Sequence, residues 1–325
     1  MPLGELLLRK SVVALFFCFA ATAAAAEPEY NFTGPLVTPN ASALPGGTVL
    51  VEPYLIYTES HAVYDGTGGR HDARPGSHQW LLVVPATVGI TERLNTQLTA
   101  GTAYNVSGKD HSDGTRLTDT SLMLQYMIVA PRADGTGPAV SLSATHVFPT
   151  GKYDKLGDNP LNGTGSGASS NRIALFAQQK FWLPNDHPLR VRALIAWGPS
   201  PSTVRIDGVS SHGTPPGFQG NAAMGTSMGV SAAVEYGIDR HWTLAADLAW
   251  DHRNGTHLQG TVCPTPATCS NLDQRNGPNW TYSVSPAVEY NFNASVGLIV
   301  GAQLSFAGHN ASSYWAPQAA LNMVF

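Results

Sequence analysis

The chain has 325 residues, a formal net charge of −4 and only 12% charged side chains, against roughly 25% in soluble domains. That balance offers no basic surface for nucleic acid, and so few charges suit a chain that is half in lipid. After residue 26 the longest apolar run, WLLVVPATVGI (Trp80 to Ile90), is about half the ~18–20 residues of a membrane helix, so any bilayer crossing must be made by strands.

The first 26 residues read as an export signal. Arg9 and Lys10 precede the apolar run SVVALFFCFAATAAAA, which closes on small residues. Cleavage is expected after Ala26, and loss of Glu5, Arg9 and Lys10 then moves the net charge from −4 to −5. Cys18 follows Phe16-Phe17 rather than the small residues of a lipid-attachment site. The next stretch, EPEYNFTGPLVTPNASALPGG (27–47), is Pro-rich and aperiodic. It is expected as a flexible periplasmic arm, with entry into a lumen as a plug the alternative.

From residue 48 onward apolar and polar residues alternate with period two. A transmembrane strand needs ~9–11 such residues. Twelve are expected, near 48–58, 79–90, 95–105, 118–129, 138–148, 171–182, 189–198, 227–236, 241–251, 279–290, 295–306 and 314–325. HWTLAADLAWD shows the pattern well: Trp242, Leu244, Ala246, Leu248 and Trp250 share one face, Thr243, Asp247 and Asp251 the other. LRVRALIAW sets Val191, Ile195 and Trp197 against Arg190 and Arg192. The stretch 138–148 is less clean, because His146 falls on the lipid side. The polar faces are small and sparsely charged, as a curved lumen requires, whereas a soluble sandwich turns a more charged face to water. The architecture expected is therefore an all-β, antiparallel transmembrane barrel of about twelve strands.

Inward positions give the candidate lumen lining: Glu52, Lys180, Arg190, Arg192, Glu235, Asp247, Glu289, Gln303 and Gln318. Charges at membrane depth are tolerated when paired or wetted. Outward aromatics at strand ends give a candidate interfacial girdle: Trp80, Trp197, Trp242, Trp250, Trp280, Tyr290, Trp315 and Phe325.

The connections alternate long and short, as long extracellular loops and short periplasmic turns do. ESHAVYDGTGGRHDARPGS is followed by TERL, FPTGKYDKLGDNPLNGTGSGASS by LPNDHP, and the long stretch before SMGV by GIDR. Only GHNASS on the long side is short. Cys263 and Cys269 flank PTPAT and, in an exported chain, suggest one local disulfide. Two thiols without a second pair cannot fill a zinc site. The chain ends LNMVF, with Leu321, Met323 and Phe325 outward, resembling the terminal signature read by the bacterial barrel-assembly machinery.

Other motifs carry less. NGTGSGASS (Asn162 to Ser170) is Gly-rich, but no helix pattern follows to cradle a phosphate. GKDHSDG and KYDKLGD lack the calcium-loop spacing. A lipid hydrolase would need Ser and His within hydrogen-bond reach. His309 and Ser312 are the nearest pair in sequence, and His146 has no nearby Ser on its own face.

Taken together, GTVLVEPYLIYT, HVFPTGKYDK with the later NPLNGTGSG, GVSAAVEYGIDRHWTLAADLAW and YSVSPAVEYNF with the terminal Phe resemble the outer-membrane proteins of the meta-pathway for phenol degradation. The resemblance spans Gly47 to Phe325. It implies a barrel associated with passage of aromatic or otherwise hydrophobic compounds, and it implies no catalytic or binding residues. The expected function is an outer-membrane channel for such compounds, without enzymatic activity or cofactor. Its partners would be outer-membrane lipid, the assembly machinery through Phe325, and a small hydrophobic solute. The alternatives are a non-conducting barrel that binds a partner through its outer loops and, behind it, a lipid-active enzyme.

Overall fold

The computed structural model describes residues 30–132, 135–265 and 267–325. Twelve antiparallel strands close into a barrel: β1 (Val49–Val51, resumed as Tyr54–Tyr64), β2 (Arg70–Thr91), β3 (Leu94–Ser107), β4 (Thr120–Val129), β5 (Gly137–Phe148), β6 (Ser170–Trp182), β7 (Pro188–Gly198), β8 (Ser227–Gly237), β9 (Trp242–Arg253), β10 (Asn279–Asn291), β11 (Val296–His309) and β12 (Ala311–Val324). Each strand pairs with the next, and β12 returns to β1 through Ala319 opposite Leu55 and Val324 opposite Leu50. Among the described residues the barrel itself has no edge strand, the condition for strands to cross a bilayer. Among the described residues no helix is long and apolar enough to cross one.

Phe325 is part of the closure. Phe325 N–H donates to Val49 O at 2.8 Å, and Val49 N–H donates to Phe325 O at 3.0 Å. The hydrophobic ending is the last rung of the seam, with the Phe325 side chain exposed outside.

Alternation sorts the faces as the sequence implied. On β9, Leu244 and Leu248 are exposed while Thr243 and Asp247 are buried, and on β4 Leu124 and Tyr126 are exposed while Gln125 is buried. The polarity is inverted relative to a soluble protein. Burying a large apolar side chain is worth about 1.5–3 kcal/mol, which here is recovered only when the outer face meets an apolar phase.

Two loop expectations are corrected. The stretch between the first two strands is not a loop of about 20 residues, because alternation continues through ESHAVY. Ala62 and Tyr64 are buried and Val63 is exposed, so β1 and β2 run on as a hairpin that turns at 65–69. The long connections 199–226 and 254–278 are not open loops either. They form a second sheet, ordered Val204–Asp207, Phe218–Met224, Thr256–Thr265, Thr268–Arg275, with Val204, Ile206, Phe218, Ala222 and Leu258 in its core. Gly220 and Gly260 lie side by side under the Phe218 ring, and a Cβ at Gly220 would stand 2.7 Å from its Cζ. Cys263 and Cys269 are bonded at the end of the last hairpin, with Cα atoms 4.1 Å apart.

Candidate functional site

Residues 30–46 run through the barrel as an extended segment. They are not a free arm. Such a backbone must find partners for its N–H and C=O groups, and without a strand beside it, it finds them on inward side chains. Thr33 N–H donates to Glu289 Oε2 at 2.6 Å and Thr33 Oγ1 to Asn291 Oδ1 at 2.9 Å. Val37 N–H and Thr38 N–H donate to the two oxygens of Asp247 at 3.3 and 2.8 Å, and Thr38 Oγ1 donates to Ser231 Oγ at 2.9 Å. Ala41 N–H reaches Gln178 Oε1 at 3.1 Å and Leu44 N–H reaches Asn95 Oδ1 at 3.0 Å. In the other direction Gln125 Nε2 donates to Asn40 O at 3.0 Å, and Ser141 Oγ donates to Ala41 O. Asn322 Nδ2 donates to Thr33 O at 3.3 Å. Strands around nearly the whole wall therefore hold one strap of chain. Pro35, Pro39 and Pro45 have no N–H to satisfy, which shortens the list of partners needed. Gly297 makes room for it, since a Cβ there would stand 2.1 Å from Thr33 Oγ1.

Below the strap lies a charge cluster set by the β7–β8 register, which puts Arg190 opposite Glu235. Arg190 donates through Nε at 2.7 Å and Nη2 at 2.5 Å to the two Glu235 oxygens. Arg192 donates to the same carboxylate through Nε at 2.8 Å and Nη2 at 3.3 Å, and through Nη1 to Thr38 O at 3.3 Å. Glu235 is fully buried. The Arg190 guanidinium also lies 4.3 Å above the Phe32 ring, a cation–π contact with the strap. Glu289 Oε1 is buried without a hydrogen-bond partner.

Of the nine residues expected along the lumen, Arg190, Arg192 and Glu235 thus form one cluster, and Asp247 and Glu289 bind the strap. Glu52 Oε1 accepts from Asn322 Nδ2 at 3.0 Å. Gln303 Nε2 donates to Ser283 Oγ at 2.9 Å. Lys180 stands 5.7 Å from the Trp182 ring centre, and Gln318 is buried beside a cavity toward the short turns. Asn95, Gln125, Gln178, Asn291 and Asn322 are strap partners that alternation alone does not single out from other inward amides. Of the aromatics, Trp80, Trp197, Trp242, Trp315 and Phe325 are exposed, and Trp250, Trp280 and Tyr290 are half-exposed. His309 stacks on Trp280, and Ser312 pairs with Val63 across the seam. Among the described residues, no three His, Cys, Asp or Glu side chains gather as a metal site.

The strap divides the remaining space. Toward the long loops lies a cavity of about 270 Å³, floored by Val37 and Pro39 and walled by Met123, Phe176 and Leu194, with Arg172, Asp251 and Ser143 as polar groups. Gly229 opens it, because a Cβ there would meet Arg172 Nη2 at 2.8 Å and Asp251 Oδ1 at 3.3 Å. The buried Ser143 Oγ has no partner. Toward the short turns a cavity of about 440 Å³ lies along Phe32, Leu36, Leu44, Glu52, Gln97 and Arg192.

No family model matches the chain, and no curated protein matches it. Among solved structures it is similar in fold to an outer membrane channel from Pseudomonas putida F1, at 16% identity and a TM-score of 0.63, covering 89% of this chain and 100% of that one. A Bordetella autotransporter β domain (12% identity, TM-score 0.43, 86% and 100% covered) and a deletion mutant of a monoaromatic hydrocarbon channel (11%, 0.42, 86% and 91%) are more distant. The fold is that of the outer-membrane β-barrels.

Proposed function

We propose that the protein is an outer-membrane channel for small solutes with an apolar body, closed in this state by its own N-terminal strap. The observation that carries this reading is how the lumen is filled. A structural barrel would interlock its inward side chains. Here the interior holds a length of backbone that belongs to no strand, bound by hydrogen bonds, with a cavity on each side of it. The outer cavity mixes Met123, Phe176 and Leu194 with Arg172 and Asp251, suiting a small molecule that is largely apolar and polar at one end. This agrees with the resemblance to the phenol meta-pathway barrels. The exposed apolar face and aromatic ends would sit in outer-membrane lipid, with Trp80, Trp197 and Trp250 toward the long-loop interface and Trp242, Tyr290 and Phe325 toward the other. Arg190, Arg192, Glu235, Asp247 and Glu289 would line the path once the strap leaves.

The test is entry into vesicles holding the refolded protein. An aromatic acid, an apolar aromatic and a sugar of similar size are compared. Preference for the aromatics supports the reading, equal entry indicates a general pore, and no entry under any condition removes the channel. The second sheet at 204–275, with its own core and disulfide, favours one other role, a surface that binds a partner. That role predicts effects from loop deletion and none on permeability.

A further inference from the structure

His146, anomalous on the outward face of β5, is flanked there by two polar partners, Asn171 at the start of β6 and Ser169 just before it. The register sets it directly opposite Asn171, and its Nδ1 lies 2.8 Å from Asn171 Oδ1. Its Nε2 lies 3.0 Å from Ser169 Oγ. An amide oxygen only accepts, so Nδ1 must carry the proton. In the neutral imidazole Nε2 is then the bare nitrogen and accepts a hydrogen bond from the Ser169 hydroxyl. That is the order of a nucleophile, its base and an orienting group. Ser169 is held from behind: its N–H donates to Ser202 Oγ at 3.1 Å, and Ser202 N–H donates to Ser169 O at 3.1 Å. Phe148 packs edge-on against the imidazole at 4.6 Å.

We propose that Ser169, His146 and Asn171 form a serine-hydrolase site on the outside of the barrel, acting on acyl esters of membrane amphiphiles. The surroundings name the substrate. Leu122, across from His146, and Phe148, Ile173 and Trp197 are all large and 40–49% exposed on the same outward face. They lie near the long-loop ends of their strands, where ester groups of a bilayer leaflet would stand. This substrate class rests on the membrane placement proposed above, whereas the triad geometry does not.

In the reaction, Ser169 Oγ attacks the ester carbonyl carbon while its proton passes to His146 Nε2. The new Oγ–C bond pushes the carbonyl π pair onto oxygen. On collapse the C–O bond to the alcohol breaks, and the leaving oxygen takes the proton from Nε2. Water then adds to the acyl carbon, giving its proton to Nε2, and the second collapse returns that proton to Ser169 Oγ. The products are a carboxylic acid and an alcohol. Asn171 touches no reacting atom. It is a positioning residue that keeps the Nδ1–H tautomer.

The experiment treats the full-length protein, folded in detergent and in phosphatidylcholine vesicles, with a fluorophosphonate probe. It also follows hydrolysis of p-nitrophenyl butyrate and release of fatty acid from the vesicles. Labelling should fall on the peptide holding Ser169 and vanish in Ser169→Ala. His146→Ala, which keeps the nucleophile, should lower turnover by about 10²–10⁴-fold. Asn171→Ala should lower kcat with KM unchanged, and Asn171→Asp should restore it. Heat-dependent gel mobility confirms that each variant is folded. A folded wild-type protein that is not labelled at Ser169 and turns over neither ester overturns the site, as does full activity in Ser169→Ala. Turnover of the soluble ester without fatty-acid release overturns the membrane substrate.

Discussion

Replacing Asp247 with Ala should loosen the strap by an amount that can be worked from its contacts. The carboxylate is 2% exposed and accepts from two successive backbone N–H groups, Thr38 at 2.8 Å and Val37 at 3.3 Å. A hydrogen bond to a charged group is worth about 1.5–3 kcal/mol net. The longer contact adds little, and removing a buried charge returns part of its desolvation cost. We take about 2 kcal/mol, which is roughly a 30-fold shift in the ratio of seated to released strap. The assay is maleimide labelling of Thr38→Cys, a position fully buried in the closed state, with the Cys263–Cys269 bond left intact. With fast reclosure the labelling rate follows the released fraction, so it should rise about 30-fold when Asp247→Ala is added. Bilayer conductance should rise in parallel. An unchanged labelling rate in a normally folded barrel would refute the reasoning, because Asp247 would then not hold the strap.

Four further outcomes are expected. Glu235→Ala leaves the buried Arg192 and the partly buried Arg190 sharing no carboxylate and should cost about 3–5 kcal/mol, seen as a lower urea midpoint in micelles. Gly297→Val puts a side chain where Thr33 Oγ1 now sits and should raise conductance without lowering barrel stability. At the 65–69 turn the Asp65 carboxyl is held below the usual carboxylate range, first by the Thr67 hydroxyl and then by Thr67 N–H and His71. Because its folded pKa is depressed, its contribution is complete above the unfolded value of 3.8 and is lost as pH falls through the folded one. Exchange of the Thr67 and Gly69 amides should therefore accelerate in strong acid, and Asp65→Asn should flatten that response. Reducing Cys263–Cys269, a bond between cysteines only six positions apart, should increase proteolysis at 263–269 and leave heat-dependent mobility unchanged.

The barrel was legible because its physics is local. A strand between lipid and lumen must alternate, and HWTLAADLAWD or NWTYSVSPAVEY shows this without reference to any neighbour. The seam was legible for the same reason, since LNMVF continues the outward row. The strap was not, because its contacts are all long-range. Thr38 meets Asp247 at a separation of 209 residues and Thr33 meets Glu289 at 256. Nothing in EPEYNFTGPLVTPN is periodic, so this Pro-rich stretch reads first as a flexible arm and only second as a plug. The usable hint lay in the wall, where Asp247, Glu289, Gln178 and Asn95 point inward and need donors that the sheet does not supply. The outer sheet was hidden by short strands such as FQGNAAM, whose Gly and Asn read as loop. His146 showed only as a flaw in alternation, because its meeting with Ser169 depends on the β5–β6 register across a loop of about twenty residues.

The most direct test of a lumen closed by its own N-terminal segment is the conductance of the refolded protein with and without residues 30–46. The full chain should conduct little. The deletion variant, folded to the same heat-shifted mobility, should show steady ion conductance and admit small aromatics. If the two conduct alike, the strap does not close the path.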